Sequence, residues 1–150
     1  MNFSARFEYS IWGLIELGAR YHRVAGRSSE NPMQIGSIAR KYGIPEKYLL
    51  QAMIELKKKG IIGAVKGRKG GYYLKQKPAD INLAEVFQVI DGTDSDSCPA
   101  KLKICRANGN CPLHPVFRGT FGKINDYLRT IKLADIIKLA PKSSSEMYYI

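Results

Sequence analysis

The middle of the chain constrains the fold most, because two helical patterns meet there at a tight turn. Residues 33–60, MQIGSIARKYGIPEKYLLQAMIELKKKG, predict a short helix and then a longer one that ends at Gly60. Gly43 supplies the permissive backbone that a sharp turn between two helices needs. The predicted core stripe of the longer helix consists of Tyr48, Leu49, Ala52, Met53 and Leu56. This pattern predicts a helix-turn-helix.

A hairpin pattern follows directly in residues 61–76, IIGAVKGRKGGYYLKQ. The β-branched and aromatic runs 61–65 and 72–74 predict two antiparallel strands, and KGRKGG between them predicts an exposed basic tip. A hairpin directly after a helix-turn-helix is the plan of a winged helix. We therefore expect a mainly α fold with a small β-hairpin.

Helical patterns also flank this central unit. Ser4 is expected to cap a first helix that runs to about Tyr21, and Asn82 to cap a helix within INLAEVFQVIDG. A third pattern near the C-terminus is an apolar seam of heptad type, Phe117, Phe121, Ile124, Leu128 and Ile131. A long amphipathic helix at the end of so small a domain predicts dimerisation, and packing within the same chain is the alternative.

Charge and apolar patterning narrow the function classes. The formal net charge is +11, and residues 40–77 hold eleven basic residues against two acidic ones. Such concentration is typical of a surface that binds a polyanion such as nucleic acid; the alternative is a solvated basic face. The longest apolar runs fall far short of the ~20 residues of a membrane span. We expect no membrane association, a cytoplasmic location and reduced thiols.

All three cysteines lie in one polar segment, CPAKLKICRANGNCPLH, residues 98–114. Gaps of six, five and two residues separate Cys98, Cys105, Cys111 and His114. An odd number of thiols in a reducing compartment argues against disulfides. Three thiolates and an imidazole suit a structural zinc ion, and a glycine-bearing loop with wide spacing suits an iron–sulfur cluster. The polar surroundings argue against ordinary buried cysteines.

Together, IPEKYLLQAMIELKKKGII, the wing VKGRKGGYYL, INLAEVFQVIDG and the three cysteines resemble the Rrf2 family of bacterial transcription regulators, over residues 1 to about 140. The resemblance implies a homodimeric winged helix-turn-helix with a long C-terminal dimerisation helix that crosses its partner. It also implies a 2Fe-2S or 4Fe-4S cluster in the cysteine loop, whose presence or redox state sets the affinity for double-stranded DNA. Residues 1–80 would be the DNA-binding domain, 81–140 the cluster loop and dimerisation helix, and 141–150 a flexible tail.

Cluster ligands follow from the same resemblance. Cys98, Cys105 and Cys111 match the three cluster cysteines. His114 matches the fourth ligand of a 2Fe-2S branch, which we favour, and Glu8 of the partner subunit matches the alternative ligand of a nitric-oxide-sensing branch, where a 4Fe-4S cluster is expected. Six rather than five residues separate the first two cysteines, so the loop departs from the best-known pattern.

DNA contacts are implied on the second helix and on the wing. Gln51 can address adenine, and Leu50 can offer apolar contact, for example to a thymine methyl. Tyr48 is expected to pack or to touch a phosphate. The full expected set is Lys47, Tyr48, Leu50, Gln51, Lys66, Arg68 and Lys69.

The leading hypothesis is a regulator that senses redox state, iron–sulfur status or nitric oxide. One alternative keeps DNA binding but makes the metal site structural zinc. A remote alternative is an iron–sulfur or thiol enzyme, which is disfavoured because no phosphate-binding loop or acid–base pair is recognisable and His22 and His114 lie far apart in the chain.

Overall fold

The computed structural model describes residues 3–23, 31–92 and 111–140. Cys98, Cys105, the polar segment 93–97 and the tail 141–150 lie outside the described residues. Within the described ranges the chain forms α1 (Ala5–Arg23), α2 (Ile35–Tyr42), α3 (Glu46–Lys58), β1 (Ile62–Val65), β2 (Gly71–Leu74), α4 (Leu83–Asp91), α5 (His114–Thr130) and α6 (Leu133–Leu139). The predicted mainly α fold with a small hairpin is confirmed.

Helices α2 and α3 form the predicted helix-turn-helix. Gly43 ends α2 in the left-handed conformation, with φ 63°, which explains why glycine suits this turn. Four residues of the predicted α3 stripe are fully buried, namely Leu49, Ala52, Met53 and Leu56. The fifth prediction was wrong, because Tyr48 is 51% exposed. At about 100° per residue Tyr48 lies at the edge of the stripe, from which its long side chain extends into solvent.

The predicted hairpin is confirmed, with β1 beginning one residue later than expected. The two strands pair antiparallel, from Ile62 opposite Leu74 to Val65 opposite Gly71. The segment before α2 adds one more rung, since Met33 N–H donates to Tyr72 O at 2.8 Å and Tyr72 N–H donates to Met33 O at 2.9 Å. At Gly71 a Cβ atom would come within 2.5 Å of the Met33 carbonyl group, so glycine permits this close approach.

Helix α1 lies at the centre of the core and packs against α3, α4 and α6. Its predicted cap is confirmed, because Ser4 Oγ accepts a hydrogen bond from Phe7 N–H at 3.0 Å. The α4 cap is confirmed as well, since Asn82 Oδ1 accepts from Glu85 N–H at 3.0 Å. The Ser4 hydroxyl also donates to the carboxylate of Asp91, which ties the start of α1 to the end of α4.

The C-terminal region differs from a single long helix. Helix α5 ends at Thr130, and Ile131, the last residue of the predicted seam, is extended. The Ile131 carbonyl accepts from Leu83 N–H at 3.1 Å, and Leu133 N–H donates to Ile81 O at 2.9 Å. These two bonds hold the chain beside the start of α4, after which the short helix α6 packs on α1. Among the described residues no helix is both long and apolar enough to cross a bilayer.

Candidate DNA interface and cluster site

The side of α3 opposite the core stripe forms a continuous exposed surface, which we call the α3 outer face. It consists of Lys47, Leu50, Gln51, Ile54 and Lys58, all of which are exposed. Lys47, Gln51, Ile54 and Lys58 follow one another at intervals of four, three and four residues. Such intervals place side chains on one side of a helix, so the surface runs along the length of α3.

Every residue of α3 that was expected to contact DNA is exposed, including Tyr48 beside the outer face. The expectation omitted Ile54 and Lys58. Both residues follow Lys47 and Gln51 at helical intervals, and this spacing could have predicted their place on the exposed face. Ile54 was easily missed because an isoleucine between predicted core positions reads as another core residue.

The tip of the wing, residues 66–70, carries the three cations expected to contact DNA. Lys66, Arg68 and Lys69 are all exposed. Gln34 Nε2 donates to the Arg68 carbonyl at 3.3 Å, and Gly70 N–H donates to Gly67 O at 2.9 Å. The first bond joins the backbone of the tip to the residue that precedes α2, so the tip lies beside the helix-turn-helix.

The α3 outer face and the wing tip come from the same strongly basic segment, residues 40–77. A helix of this width fits the major groove of DNA, and a cationic hairpin beside it can reach phosphates. Lysine and arginine at phosphates release condensed counterions, which makes the affinity depend on salt. This arrangement suits α3 for contact with base edges and the wing tip for contact with the DNA phosphates.

Two of the four expected cluster ligands lie together at the start of α5. Cys111 and His114 are both partly exposed, and His114 N–H donates to the Cys111 carbonyl at 3.1 Å. One turn of backbone thus carries a thiol and an imidazole. Among the described residues no three His, Cys, Asp or Glu side chains are placed to share a metal ion, so Glu8 of the same chain does not join this pair.

The donor set still fits a metal group. Thiolates and an imidazole are soft or borderline ligands, which suit iron–sulfur clusters and zinc rather than magnesium or calcium. Cys111 is a free thiol that is partly accessible to solvent, so no disulfide occupies its sulfur.

Glu8, the alternative fourth ligand, lies in the first turn of α1. Its side chain is exposed and borders an apolar cavity of about 430 Å³ between α1 and α6, beside Phe7, Ile11 and Trp12. Close by, the rings of Phe3, Phe7 and Phe87 pack with centroids 5.1–5.6 Å apart. Helix α4, which contributes Phe87, ends at Asp91, and in the sequence the polar segment 93–97 follows before Cys98.

The family model named Rrf2 and described as an iron-dependent transcriptional regulator matches residues 3–139. This chain belongs to the Rrf2 family. The resemblance stated from the sequence is therefore confirmed. Members of this family are transcription regulators that bind DNA, so this chain is a DNA-binding transcription regulator. The alternative of an iron–sulfur or thiol enzyme is thereby excluded.

Relatives of known name agree with this assignment. The HTH-type transcriptional regulator IscR of Xenorhabdus nematophila is 28% identical over 139 residues, which cover 92% of this chain and 80% of that protein. IscR of Vibrio campbellii is 27% identical and covers 92% of this chain and 78% of that protein.

Solved structures agree at the level of the fold. T. potens IscR superposes with a TM-score of 0.67 and 26% identity, and covers 99% of this chain and 97% of that one. CymR (YrzC), described as the global cysteine regulator of B. subtilis, superposes with a TM-score of 0.69. CymR is 21% identical over 94% of this chain and 99% of that one, and its structure supports the Rrf2 fold.

Proposed function

We propose that this Rrf2 protein is a dimeric, cytoplasmic regulator whose affinity for its operator is set by an iron–sulfur cluster. The signal would be redox state, iron–sulfur status or nitric oxide. The observation that carries the proposal is the hydrogen-bonded turn from Cys111 to His114, which leads directly into α5, the helix with the apolar seam. Ligands in this position couple a metal group to the C-terminal helix.

In this proposal residues 1–80 read DNA. Lys47, Leu50 and Gln51 would contact base edges in the major groove, with Tyr48 near an adjoining phosphate. Lys66, Arg68 and Lys69 on the wing would bind the backbone or the minor groove. The exposure of all these side chains supports the assignment.

Residues 81–140 would carry the cluster loop and the dimerisation helix. In α5, all of whose residues are described, Leu128 is the buried residue, and Phe117, Phe121 and Ile124 are partly exposed. Val116 and Tyr127 are 62% and 66% exposed. A helix with this much accessible apolar surface favours a partner, and a second copy that crosses it would cover the seam.

The proposed ligands are Cys98, Cys105, Cys111 and His114, with a 2Fe-2S cluster. Glu8 of the partner subunit is the alternative fourth ligand, together with a 4Fe-4S cluster. When bound, such a cluster supplies a redox-active group whose charge and stability depend on its environment. Because His114 begins α5 and Cys111 lies in the turn before it, a rearrangement of these two residues would shift the helix that joins the subunits. The spacing of the two α3 helices would change with it.

The test is an anaerobic visible spectrum with iron, sulfide and zinc counts on the full-length protein. We expect about two irons and two sulfides per chain, whereas about four of each would favour the 4Fe-4S alternative. Cys105→Ala should lose iron while sedimentation still finds a folded dimer, and Leu113→Ala, in the same turn as Cys111, should keep it.

Comparing His114→Ala with Glu8→Ala identifies the fourth ligand, since the variant of the true ligand alone should lose cluster. Stoichiometric zinc without iron would support the structural zinc alternative and remove the sensor. A protein that stays colourless after anaerobic supply of iron and sulfide would overturn the cluster and leave the DNA-binding assignment in place.

A further inference from the structure

The α3 outer face has an apolar centre that the electrostatics of DNA binding do not explain. Leu50 and Ile54 are 38% and 39% exposed. They lie four residues apart, so their side chains are neighbours on the helix surface. The core side of α3 is already complete, with four fully buried residues. The exposure of this pair is therefore not a consequence of a poorly packed helix.

Charged and polar groups surround the pair. Lys47 and Lys58 extend the same surface toward both ends of α3, and Gln51 lies next to Leu50. The exposed cations of the wing follow in the chain after a short strand. Glu46, four residues before Leu50, adds one exposed carboxylate to this rim, in which the lysines outnumber it. An apolar centre within a mainly cationic rim is complementary to a surface whose own rim is anionic and whose centre offers methyl groups.

The major groove of DNA meets both conditions. Phosphates line its edges, and the C5-methyl group of thymine is the apolar group that base pairs present on its floor. Gln51 is suited to the adenine of an A·T pair, because its amide can bond adenine N6 and N7 together. Apolar and amide side chains on one face therefore favour neighbouring A·T pairs.

We propose that Leu50 and Ile54 together read thymine methyl groups, so that each operator half-site holds A·T pairs with their methyls toward α3. This inference rests on the proposed placement of α3 in the major groove. It assigns a specificity-determining role to Ile54 and makes the methyl, rather than base hydrogen bonding alone, a recognised feature of the operator.

The experiment begins with selection of binding sites from random duplex DNA by the full-length protein, in the apo and the cofactor-loaded form. Each thymine of the selected half-site is then replaced by deoxyuridine, which removes the methyl and nothing else. At one or two positions we expect affinity to fall about fourfold, as is typical for a buried methyl group. Thymines outside the half-site serve as controls.

Variants of Leu50 and Ile54 test whether these two side chains cause the loss of affinity for deoxyuridine duplexes. Leu50→Ala and Ile54→Ala should bind the thymine and deoxyuridine duplexes equally at the position each side chain contacts. Ile54→Val, which keeps a branched apolar side chain, should retain part of the discrimination. Lys66→Ala should weaken binding to both duplexes by the same factor and leave the discrimination intact. Thermal unfolding of each variant checks that the fold persists.

Full affinity for operators in which every half-site thymine is replaced would overturn the inference while DNA binding by α3 stands. The exposed pair would then be assigned to a protein partner or a second copy. If neither form of the protein selects any DNA, the proposed placement of α3 fails and the inference falls with it. The two failures are therefore distinguishable.

Discussion

Helices α3 and α5 are both amphipathic, but they complete their apolar sides differently. In α3 four apolar side chains are fully buried by the rest of the chain. In α5, within the described residues, Leu128 is buried and the other seam residues of the helix stay partly exposed. An apolar pattern in the sequence therefore identifies an amphipathic helix. Which surface packs on its apolar side depends on the other segments of the chain or on a partner. For α3 that surface is intramolecular, and for α5 we propose a second copy.

The largest expected effect tests the buried side of α3. Leu49→Ala should lower the free energy of unfolding by about 3 kcal/mol, because it leaves a cavity in a closed core. Leu50→Ala, the same change one residue later, should cost less than about 1 kcal/mol because that side chain is accessible. Denaturant unfolding measures both, and equal costs would contradict the two-sided description of α3.

The next effect tests α5. Phe121→Ala should weaken dimerisation about thirtyfold, as is typical for a central aromatic residue of an interface, and Asp126→Ala on the exposed surface should not. Sedimentation across a range of protein concentrations measures the dissociation constant. A wild-type protein that remains monomeric at high concentration would remove the second copy from the comparison.

A third effect tests how the helix-turn-helix is held on α1. The Glu16 carboxylate accepts a hydrogen bond from Lys41 Nζ at 2.5 Å and another from the Tyr42 hydroxyl, whose ring packs 4.7 Å from that of Trp12. Glu16→Gln should cost about 1–2 kcal/mol of unfolding free energy, because the Glu16 side chain is only 13% exposed.

Lys138→Ala is the matched control for that change. It removes the Lys138–Asp135 pair, which spans 3.6 Å with both side chains exposed, and should cost less than about 0.5 kcal/mol. Similar losses for Glu16→Gln and Lys138→Ala would show that the Glu16 contacts add no stability between α1 and α2.

The smallest effect concerns the wing. Lys66→Ala should weaken binding to specific and non-specific DNA alike and reduce the slope of log affinity against log salt by about one. Lys138→Ala, on α6, should leave the slope unchanged. Affinities measured at several salt concentrations check both variants, and an unaltered slope for Lys66→Ala would place the wing outside the interface.

Features that depend on neighbouring residues were predictable from the sequence. The Ser4 and Asn82 caps, the turn at Gly43 and the hairpin are formed within a few residues, so local patterns carry their signal. The Rrf2 resemblance rested on these same local segments. The spacing of the expected ligands from Cys98 to His114 is also a local pattern, and residue types and intervals alone predict a cofactor there.

Other features were decided by contacts between distant segments. The sequence predicted Tyr48 in the core stripe of α3 and did not predict Ile54 on the exposed face. Helical spacing shows which residues lie on the same side of a helix, but it does not show how much of the helix surface is buried. The Met33–Tyr72 rung and the extended Ile131 that follows α5 depend on segments tens of residues away. Local patterns in the sequence determined which elements form, since capping, turns and periodicity act over a few residues. Tertiary packing decided which surfaces remain exposed, because burial depends on every segment that folds onto a given side chain.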